Sequence, residues 1–128
     1  MQYKPENQDL LEAIAEFLRK DILSYVKERD DLVYKTLVSW NMLNVVIRDL
    51  EKEELYLIKE IERLSDLLNI SLEIPLTLKE KREKVKDLNR KLCELIKNQK
   101  ISIEHPIWEH VKKTLIENLS ISNPRFQL

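Results

Sequence analysis

Two histidines and one cysteine are the side chains of this sequence best suited to binding a metal ion. His105 and His110 lie five residues apart, which places them ~140° apart around a helix. Zinc-binding helices instead carry two histidines four residues apart on one face. Cys93 is too isolated in the sequence to supply a third ligand. We therefore predict no metal site, and we interpret His105 as a residue at the start of a helix.

Nucleophilic and acid–base catalysis find equally little support. A reactive cysteine needs a nearby base and an electropositive setting, and no histidine lies near Cys93 in the sequence. We expect Cys93 to be a small buried core residue. The carboxylates at 51–54 lie in a highly charged stretch, which indicates a solvated helix face rather than a dry catalytic pocket. We assign no catalytic residue and favour a protein that is not an enzyme.

Asparagine and arginine side chains form the most informative polar pattern. Asn41, Asn44 and Arg48 are spaced i, i+3 and i+7 along one predicted helix and border its apolar residues. Asn89 and Arg90 hold a similar position in a later helix. Asparagine lowers helix propensity, so its presence inside helices points to a hydrogen-bond network. Such a network either fixes the register of the helices or forms a polar pocket for an anionic or amide-bearing partner.

The sequence contains no glycine among its 128 residues. Phosphate-binding loops, the nucleophile elbow and the dinucleotide-binding fingerprint all use glycine for close backbone approach or sharp turns. These functional classes are excluded, and we predict no cofactor. The net charge of −1 gives no overall attraction to nucleic acid or to a membrane. The basic run at 79–91 contains no aromatic residue and therefore lacks the stacking surface of single-strand binders.

The sequence predicts a cytoplasmic protein. No apolar run reaches the ~20 residues of a membrane span. The polar N-terminus shows no signal sequence. A single cysteine cannot form an internal disulfide, which is typical of proteins in a reducing cytosol.

Charge is divided unevenly along the chain. Residues 1–75 carry ten basic and sixteen acidic side chains, a net charge of −6, whereas residues 76–128 carry twelve basic and seven acidic side chains, a net charge of +5. The two parts could attract each other within the fold or in a head-to-tail dimer. Alternatively, the charges lie on solvated helix faces.

Hydrophobic periodicity predicts one domain over residues 1–128, built as an all-α bundle of four or five mostly antiparallel helices. Asn7 is the predicted N-cap of the first helix. Thr77 and Glu80 form a predicted capping box. The predicted helices cover residues 7–28, 32–68, 77–98 and 106–119.

The two connectors, at 69–75 and 100–106, share the pattern Ile-Ser-apolar-Glu-x-Pro at a separation of 31 residues. They are predicted to be extended, because apolar and polar residues alternate before each proline. They represent either two similar ways of leading into a helix or a short paired ribbon.

Each helix carries an apolar stripe that we expect to be buried. In the first helix the stripe is Leu10, Leu11, Ile14, Leu18, Ile22 and Val26. In the third helix it is Val85, Leu88, Leu92, Leu95 and Ile96, and in the fourth it is Ile107, Trp108, Val111, Leu115 and Leu119.

The second predicted helix is long, at ~55 Å for an unbroken helix. We expect a bend or a short break in the charged run from Glu51 to Glu54. A helix that is longer than its neighbours leaves apolar residues in need of cover. We therefore expect a homodimer interface that includes Leu57, Ile61 and Leu64.

Three segments carry a family resemblance. Residues 40–51 (WNMLNVVIRDLE), 88–93 (LNRKLC) and 118–126 (NLSISNPRF) resemble the stretches N-A-L-x-I-V-x-R-E-L-E, L-N-R-x-L-C and K-L-A-I-x-N-P-R-Y of a small, uncharacterised, all-helical bacterial domain family, a domain of unknown function. The segments occur in the same order and together span most of the chain. The chain departs from the pattern at Asn44, where alanine is usual, and at Glu51-Lys52, where Leu-Gly is common.

The resemblance implies an accessory role. Members of the family resemble companions of aminoglycoside-phosphotransferase-like kinases and acyl-CoA dehydrogenases, beside which they occur or to which they are fused. The implied function is a protein-interaction subunit that assists phosphorylation or oxidation of acyl-CoA-type substrates. The alternative is a small helical ligand-binding protein or enzyme that uses the Asn/Arg cluster. The matching polar residues, which we predict to bind a ligand or partner, are Asn41, Arg48, Asn89, Arg90, Asn123 and Arg125.

The tail that follows the last helix is predicted to join this cluster. Asn123 is expected to end the helix, and Phe126 to hold the tail against the bundle. Arg125 is then free to reach a carboxylate or a carbonyl. We expect Asn41, Arg48 and Asn89 to meet the tail there, because buried polar groups need partners.

Overall fold

The computed structural model describes residues 4–126. No β-strand is present in that range, so the connectors do not pair as a ribbon and the predicted all-α class is confirmed. The long second helix of the prediction is also confirmed as α3. The helical elements are α1 (Asn7–Phe17), a π-helical segment (Leu18–Ile22), α2 (Leu23–Tyr25), α3 (Asp30–Leu67), α4 (Leu78–Asn98) and α5 (Ile107–Ser122).

The chain divides into two compact units, Met1–Glu51 and Lys52–Leu128. Helix α3 continues through this boundary without interruption, so the short break expected at Glu51–Glu54 is wrong. The run consists of glutamates and a lysine, which favour helix, and it contains neither glycine nor proline to stop one. The single domain over residues 1–128 stays a prediction.

The first unit is a helical hairpin. Gln8 donates a hydrogen bond from Nε2 to Oε1 of Glu51 at 2.7 Å, and the Arg19 guanidinium lies 5.5 Å from the centre of the Trp40 ring. A later residue of the first helical stretch therefore contacts an earlier residue of α3, so the two run antiparallel. At both contacts the numbers of the two contacting residues add to 59.

The hairpin has a small core. Ala15 on α1 and Thr36 and Ile47 on α3 are its buried residues within the described part of the unit. Two helices meet along a single line, so each leaves most of its circumference without cover. The stripe predicted for the first helix is consequently only partly buried, and Leu10 and Ile14 are exposed.

The second unit has a larger core, formed by the C-terminal part of α3 with α4 and α5. Burying a side chain of this kind contributes ~1.5–3 kcal/mol. Residues at most 4% exposed come from all three helices: Ile61, Leu64, Leu88, Leu92 and Ile107. Partly buried residues pack against them, among them Val85, Leu95 and Ile96 of the stripe predicted for α4.

This core overturns one sequence expectation. Ile61 and Leu64 were expected to be covered by a second copy of the chain, but both are fully buried within the unit. They pack in the same cluster as Leu88 and Ile107 of the chain's own helices. Any homodimer interface must therefore use other residues.

Cys93 is exposed, so the prediction of a buried core cysteine is wrong. Leu92 takes the core position, and each residue turns a helix by ~100°. The next side chain along α4 therefore points away from the core.

The helices of the second unit run in different directions. Glu54 pairs with Lys81 and Glu60 with Asn89, so α3 and α4 are parallel. Helix α5 runs the opposite way, because Tyr56 contacts Ser120 and Arg63 contacts His110. The connector between α3 and α4 therefore returns along the length of α3, so that the start of α4 lies beside Glu53 and Glu54.

The end of α3 shows how a chain without glycine makes a sharp turn. Asn69 has φ 54°, in the left-handed region. The Ile70 N–H donates to the Ser65 carbonyl at 2.9 Å, and the Asn69 N–H donates to the Asp66 carbonyl at 3.2 Å. This pair of bonds is the Schellman motif, in which asparagine is the usual substitute for glycine.

The predicted capping box at the start of α4 is confirmed. The Glu80 N–H donates to Thr77 Oγ1 at 3.2 Å, and Glu80 Oε2 accepts from the Thr77 N–H at 3.1 Å. At α1 the N-cap is Glu6, whose N–H donates to Asp9 Oδ2 at 2.9 Å. The cap expected at Asn7 is therefore wrong by one residue.

Candidate functional site

A polar cluster between α3 and α5 is joined by four hydrogen bonds from one arginine. The Arg63 guanidinium donates to both carboxylate oxygens of Glu117, at 2.9 and 2.7 Å. It also donates to Thr114 Oγ1 at 3.2 Å and to His110 Nδ1 at 3.4 Å. The arginine and glutamate side chains are 19% and 16% exposed. We call Arg63, His110, Thr114 and Glu117 the Arg63 cluster.

His110 is neutral in this cluster. Its Nδ1 atom accepts from Arg63, so the proton of the neutral ring is on Nε2. Burial lowers the pKa of His110, and the Arg63 charge lowers it further, while Glu117 opposes both effects. The cluster therefore contains one arginine, one carboxylate and an uncharged imidazole.

The geometry of this cluster is suited to holding two helices together. The arginine forms a bidentate pair with the carboxylate, which is a strong and directional interaction. It fastens α5 to α3 outside the apolar core. A surface groove of about 500 Å³ adjoins Arg63 and is lined by Glu62, Arg63, Ser65, Asp66, Asn69, Ile70 and Leu72.

Two of the four predicted partner-binding residues of the second unit, Asn89 and Arg90, have side-chain partners within the unit. Asn89 donates from Nδ2 to Glu60 Oε1 at 2.9 Å, which joins α4 to α3. Arg90 pairs with Asp87 on its own helix, at an exposed position. Asn123 and Arg125 are exposed beyond α5. Within this unit Asn89 thus acts between helices, whereas Arg90 lies on the surface.

The predicted residues of the first unit lie on α3. Asn41 is exposed and Arg48 is half-buried. Asn44, which the family pattern does not support, donates to the Trp40 carbonyl of its own helix at 2.9 Å. The meeting of Asn41, Arg48 and Asn89 with the tail residues Asn123 and Arg125 in one cluster stays a prediction.

The tail turns directly after α5. Asn123 ends the helix as expected, and its N–H donates to the Leu119 carbonyl at 2.8 Å. The Phe126 N–H donates to the Asn123 carbonyl at 3.0 Å, which closes a turn around Pro124 and Arg125. The Phe126 ring remains half exposed.

Acidic residues of α3 pair with basic residues of α4. The acidic and basic parts of the chain therefore attract each other within the fold, which was one of the alternatives for the uneven charge distribution. Arg82 pairs with Glu53, and Lys81 donates to Glu54 at 2.8 Å. Lys81 is only 4% exposed and also donates to the Leu76 carbonyl at 2.9 Å. This member of the basic run therefore has a structural role.

Helix α5 carries an uncovered apolar stripe, although burial was expected. Ile107 is buried, but Trp108, Val111 and Leu115 are 42–47% exposed. The helix turns its other side, with His110, towards α3. We call Trp108, Val111 and Leu115 the α5 stripe.

The hairpin of the first unit also has an uncovered apolar surface. Leu10, Ile14 and Phe17 on α1 and Met42, Val46 and Leu50 on α3 are 45–62% exposed. Each of these residues lies one position before a residue on the side of its helix that faces the other helix. In an antiparallel pair, residues at this position on the two helices lie on the same side of the pair, because a two-fold axis perpendicular to the plane of the pair relates the two helices. We call these six residues the hairpin face.

The opposite side of the hairpin is polar. It carries Glu12 and Glu16 on α1 and Asn41 on α3, all of which are exposed. An apolar depression of about 290 Å³, lined by Ser39, Met42, Leu43 and Val46, lies on the hairpin face. At the levels of the hairpin face, the hairpin therefore has one apolar and one polar side, whereas exposed Leu37 and Tyr34 precede Asn41 on the same flank of α3.

Sequence reasoning missed the Arg63 cluster. One signal in the sequence was an arginine between the core residues Ile61 and Leu64. A matching row of polar residues on α5, His110, Thr114 and Glu117, lies at i, i+4 and i+7 on one face. Neither row indicates its partner without knowledge of which helices are neighbours.

A comparison with protein-family models matches residues 27–126 to a domain of unknown function (DUF6285). The chain belongs to the DUF6285 family. The match begins just before α3 and includes α3, α4 and α5, so the α1 half of the hairpin face precedes the residues that define the DUF6285 match. No curated protein and no solved structure is similar to the chain.

Two further observations constrain the described residues of this DUF6285 protein. No helix within 4–126 is long and apolar enough to span a membrane. The same residues contain no group of three or more His, Cys, Asp or Glu side chains placed to hold a metal ion.

Proposed function

We propose that the protein is an accessory subunit that binds another protein through the α5 stripe. The observation that carries this proposal is the exposure of Trp108, Val111 and Leu115 on a helix whose other side is anchored by the Arg63 cluster. A row of exposed large apolar residues on an ordered helix is typical of an interaction surface.

The spacing of the α5 stripe fits one mode of recognition. The three residues lie at i, i+3 and i+7, the anchor positions of a helix that binds in an apolar groove. Tryptophan is enriched among residues that dominate binding energy. The Trp108 Nε1 donates to the Ser102 carbonyl at 2.9 Å, so the ring is held in place before binding.

The proposed partner is an aminoglycoside-phosphotransferase-like kinase or an acyl-CoA dehydrogenase. The support is the family resemblance of residues 40–51, 88–93 and 118–126, since the DUF6285 description assigns no activity. On this proposal the bacterial protein acts in the cytoplasm without nucleic acid, membrane or cofactor. The partner performs the reaction, and the subunit contributes binding.

Co-expression tests the proposal. The chain is produced with the phosphotransferase-like kinase, and separately with the acyl-CoA dehydrogenase, of its own genome, and each mixture is analysed by size-exclusion chromatography. We expect one of the two to co-elute with the chain. Leu115→Glu should abolish co-elution, because a buried unpaired carboxylate strongly opposes association.

The matched control is Gln99→Glu, which adds the same charge at an exposed position beyond α4. Co-elution should survive this change. If neither enzyme co-elutes with the unmodified chain, the proposed partners are wrong. If Leu115→Glu co-elutes as well as the control, the partner is correct but the α5 stripe is not its binding surface.

Homodimerisation is also part of the proposal. The sequence favours a dimer that uses α3, and α3 carries exposed apolar residues in the first unit. Ile61 and Leu64 are excluded as interface residues because they are fully buried. Light scattering of the purified chain tests the dimer without any other protein.

The alternative function is a small ligand-binding protein or enzyme that uses the Asn/Arg cluster. The observation that favours it is the half-buried position of Asn89, whose amide is already ordered by Glu60. Thermal-shift measurements with anionic and amide-bearing small molecules test this function. A stabilising compound whose effect is lost in Asn89→Leu and kept in Gln99→Glu would favour the alternative.

A further inference from the structure

We propose that the hairpin face binds the hairpin face of a second copy, so that two chains form a four-helix bundle about a two-fold axis. This inference rests on the homodimer included in the proposed function, and it names the surface. The second copy would bind the first unit, and the α5 stripe would remain free to bind a different protein.

The register of the hairpin places the six apolar residues at three successive levels. The two described contacts, one from α1 and one from the π-helical segment to α3, join residues whose numbers add to 59. Within one residue of this register, Leu10 lies level with Leu50, Ile14 with Val46, and Phe17 with Met42. Each level presents one apolar side chain from each helix, and the three levels form a continuous face.

The order of the levels allows two copies of the face to pack on each other. If a two-fold axis passes through the level of Ile14 and Val46, the level of Leu10 and Leu50 in one copy packs on the level of Phe17 and Met42 in the other. Apolar side chains then meet apolar side chains at all three levels. A closed dimer requires this property, because both copies contribute the same surface.

Polar residues lie at the border of the face. Exposed Asn7 precedes it on α1, and exposed Ser39 lines the depression beside Met42 and Val46 on α3. An apolar centre with a polar rim is the usual anatomy of a protein interface. The opposite side of the hairpin, with Glu12 and Glu16, stays in solvent.

The available area suits a dimer. The six residues are 45–62% exposed and form a contiguous apolar patch, and patches of a few hundred Å² commonly mark interaction sites. Stable interfaces bury ~800 Å² per partner. Neighbouring exposed residues such as Val38 extend the patch. The small core of the hairpin also favours association, since a second hairpin would cover apolar surface that the chain leaves in water.

The first experiment uses light scattering on the purified full chain from micromolar to millimolar concentration. We expect a mass twice the 15.4 kDa of one chain. Met42→Lys should give a monomer with unchanged helical circular dichroism, because Met42 is 62% exposed within one chain. Asn41→Lys adds the same charge one residue away, on the polar side, and should remain a dimer.

The second experiment identifies the surface directly. In a Cys93→Ser background, Val46→Cys places a thiol beside the expected two-fold axis, and Asn41→Cys places one on the polar side. Mild oxidation should link Val46→Cys into a covalent dimer with a yield several-fold above that of Asn41→Cys. This result does not depend on whether Met42→Lys folds.

Three outcomes would overturn the inference. These are a monomer at every concentration, a dimer that persists in Met42→Lys, and equal cross-linking of the two cysteine variants. A dimer that is lost in Leu115→Glu but kept in Met42→Lys would assign homodimerisation to the α5 stripe instead. Co-elution with a kinase or dehydrogenase is a separate measurement, so its failure leaves these results unaffected.

Discussion

The two units of this chain are built from the same kind of helix but differ in how much apolar surface they bury. In the second unit three helices meet, and Ile61, Leu64, Leu88 and Ile107 are at most 1% exposed. In the first unit two helices meet, and of their large apolar residues only Ile47 is buried within the described part. Amphipathic helices therefore do not bury their stripes unless enough neighbours surround them.

The two units also differ in how many polar side chains join their helices. The second unit ties its helices together with the Arg63 cluster, the Asn89–Glu60 hydrogen bond and the buried Lys81. The hairpin is joined by the Gln8–Glu51 hydrogen bond and the Arg19–Trp40 contact. The second unit therefore has the larger buried core and more polar bonds between its helices, whereas the hairpin leaves more of its apolar surface uncovered.

The largest expected effect comes from a pair of leucine truncations. Leu64→Ala removes a fully buried side chain, and should lower the free energy of unfolding by ~2–5 kcal/mol. Leu10→Ala removes one that is half exposed, and should cost less than ~1 kcal/mol in the monomeric Met42→Lys background. Urea denaturation followed by circular dichroism measures both. Equal losses would mean that the two units do not differ in burial as described.

The next effect tests the Arg63 cluster. Glu117→Gln leaves the Arg63 guanidinium partly buried without its carboxylate, and should cost ~1–3 kcal/mol. Glu109→Gln removes an exposed carboxylate from the first turn of the same helix, and should cost only the smaller contribution of the helix dipole, ~0.3–1 kcal/mol. If the two variants unfold at the same urea concentration, the cluster does not stabilise the second unit.

A smaller effect is expected at the capping box of α4. Thr77→Ala removes the acceptor of the Glu80 N–H and should cost ~1 kcal/mol. Thr77→Ser keeps the hydroxyl and should restore most of that loss. Thermal melts of the three proteins test this prediction. It would be contradicted by a serine variant that is as unstable as the alanine variant.

The smallest effect is a pH dependence that arises from His110. Because the folded pKa of His110 lies below its unfolded value of ~6.5, the unfolded chain binds more protons in that interval. The free energy of unfolding should therefore fall as the pH falls below ~6.5, and this contribution should level off below the folded pKa. His110→Gln, which has no titratable group, should reduce the slope in urea titrations. An unchanged slope would assign the pH dependence to carboxylates.

Local signals in the sequence determined most of the helices. The capping box at Thr77 and Glu80, the prolines before α4 and α5, and the 3.6-residue periodicity act within a few residues, so they can be read without knowledge of the fold. The absence of glycine indicated few sharp turns, and Asn69 makes the one left-handed turn within the described residues. Asn123 ends α5 as its position predicted.

Tertiary structure alone decided which stripes are covered. The periodicity of α1 and α5 shows that each has an apolar side, but whether Leu10 or Trp108 is buried depends on how many helices pack there. The exposure of Cys93 and the burial of Lys81 likewise follow from the parallel placement of α4 beside α3, which the sequence did not specify. The Arg63 cluster joins residues about 50 positions apart in the chain, and only the packing of α5 on α3 brings them together.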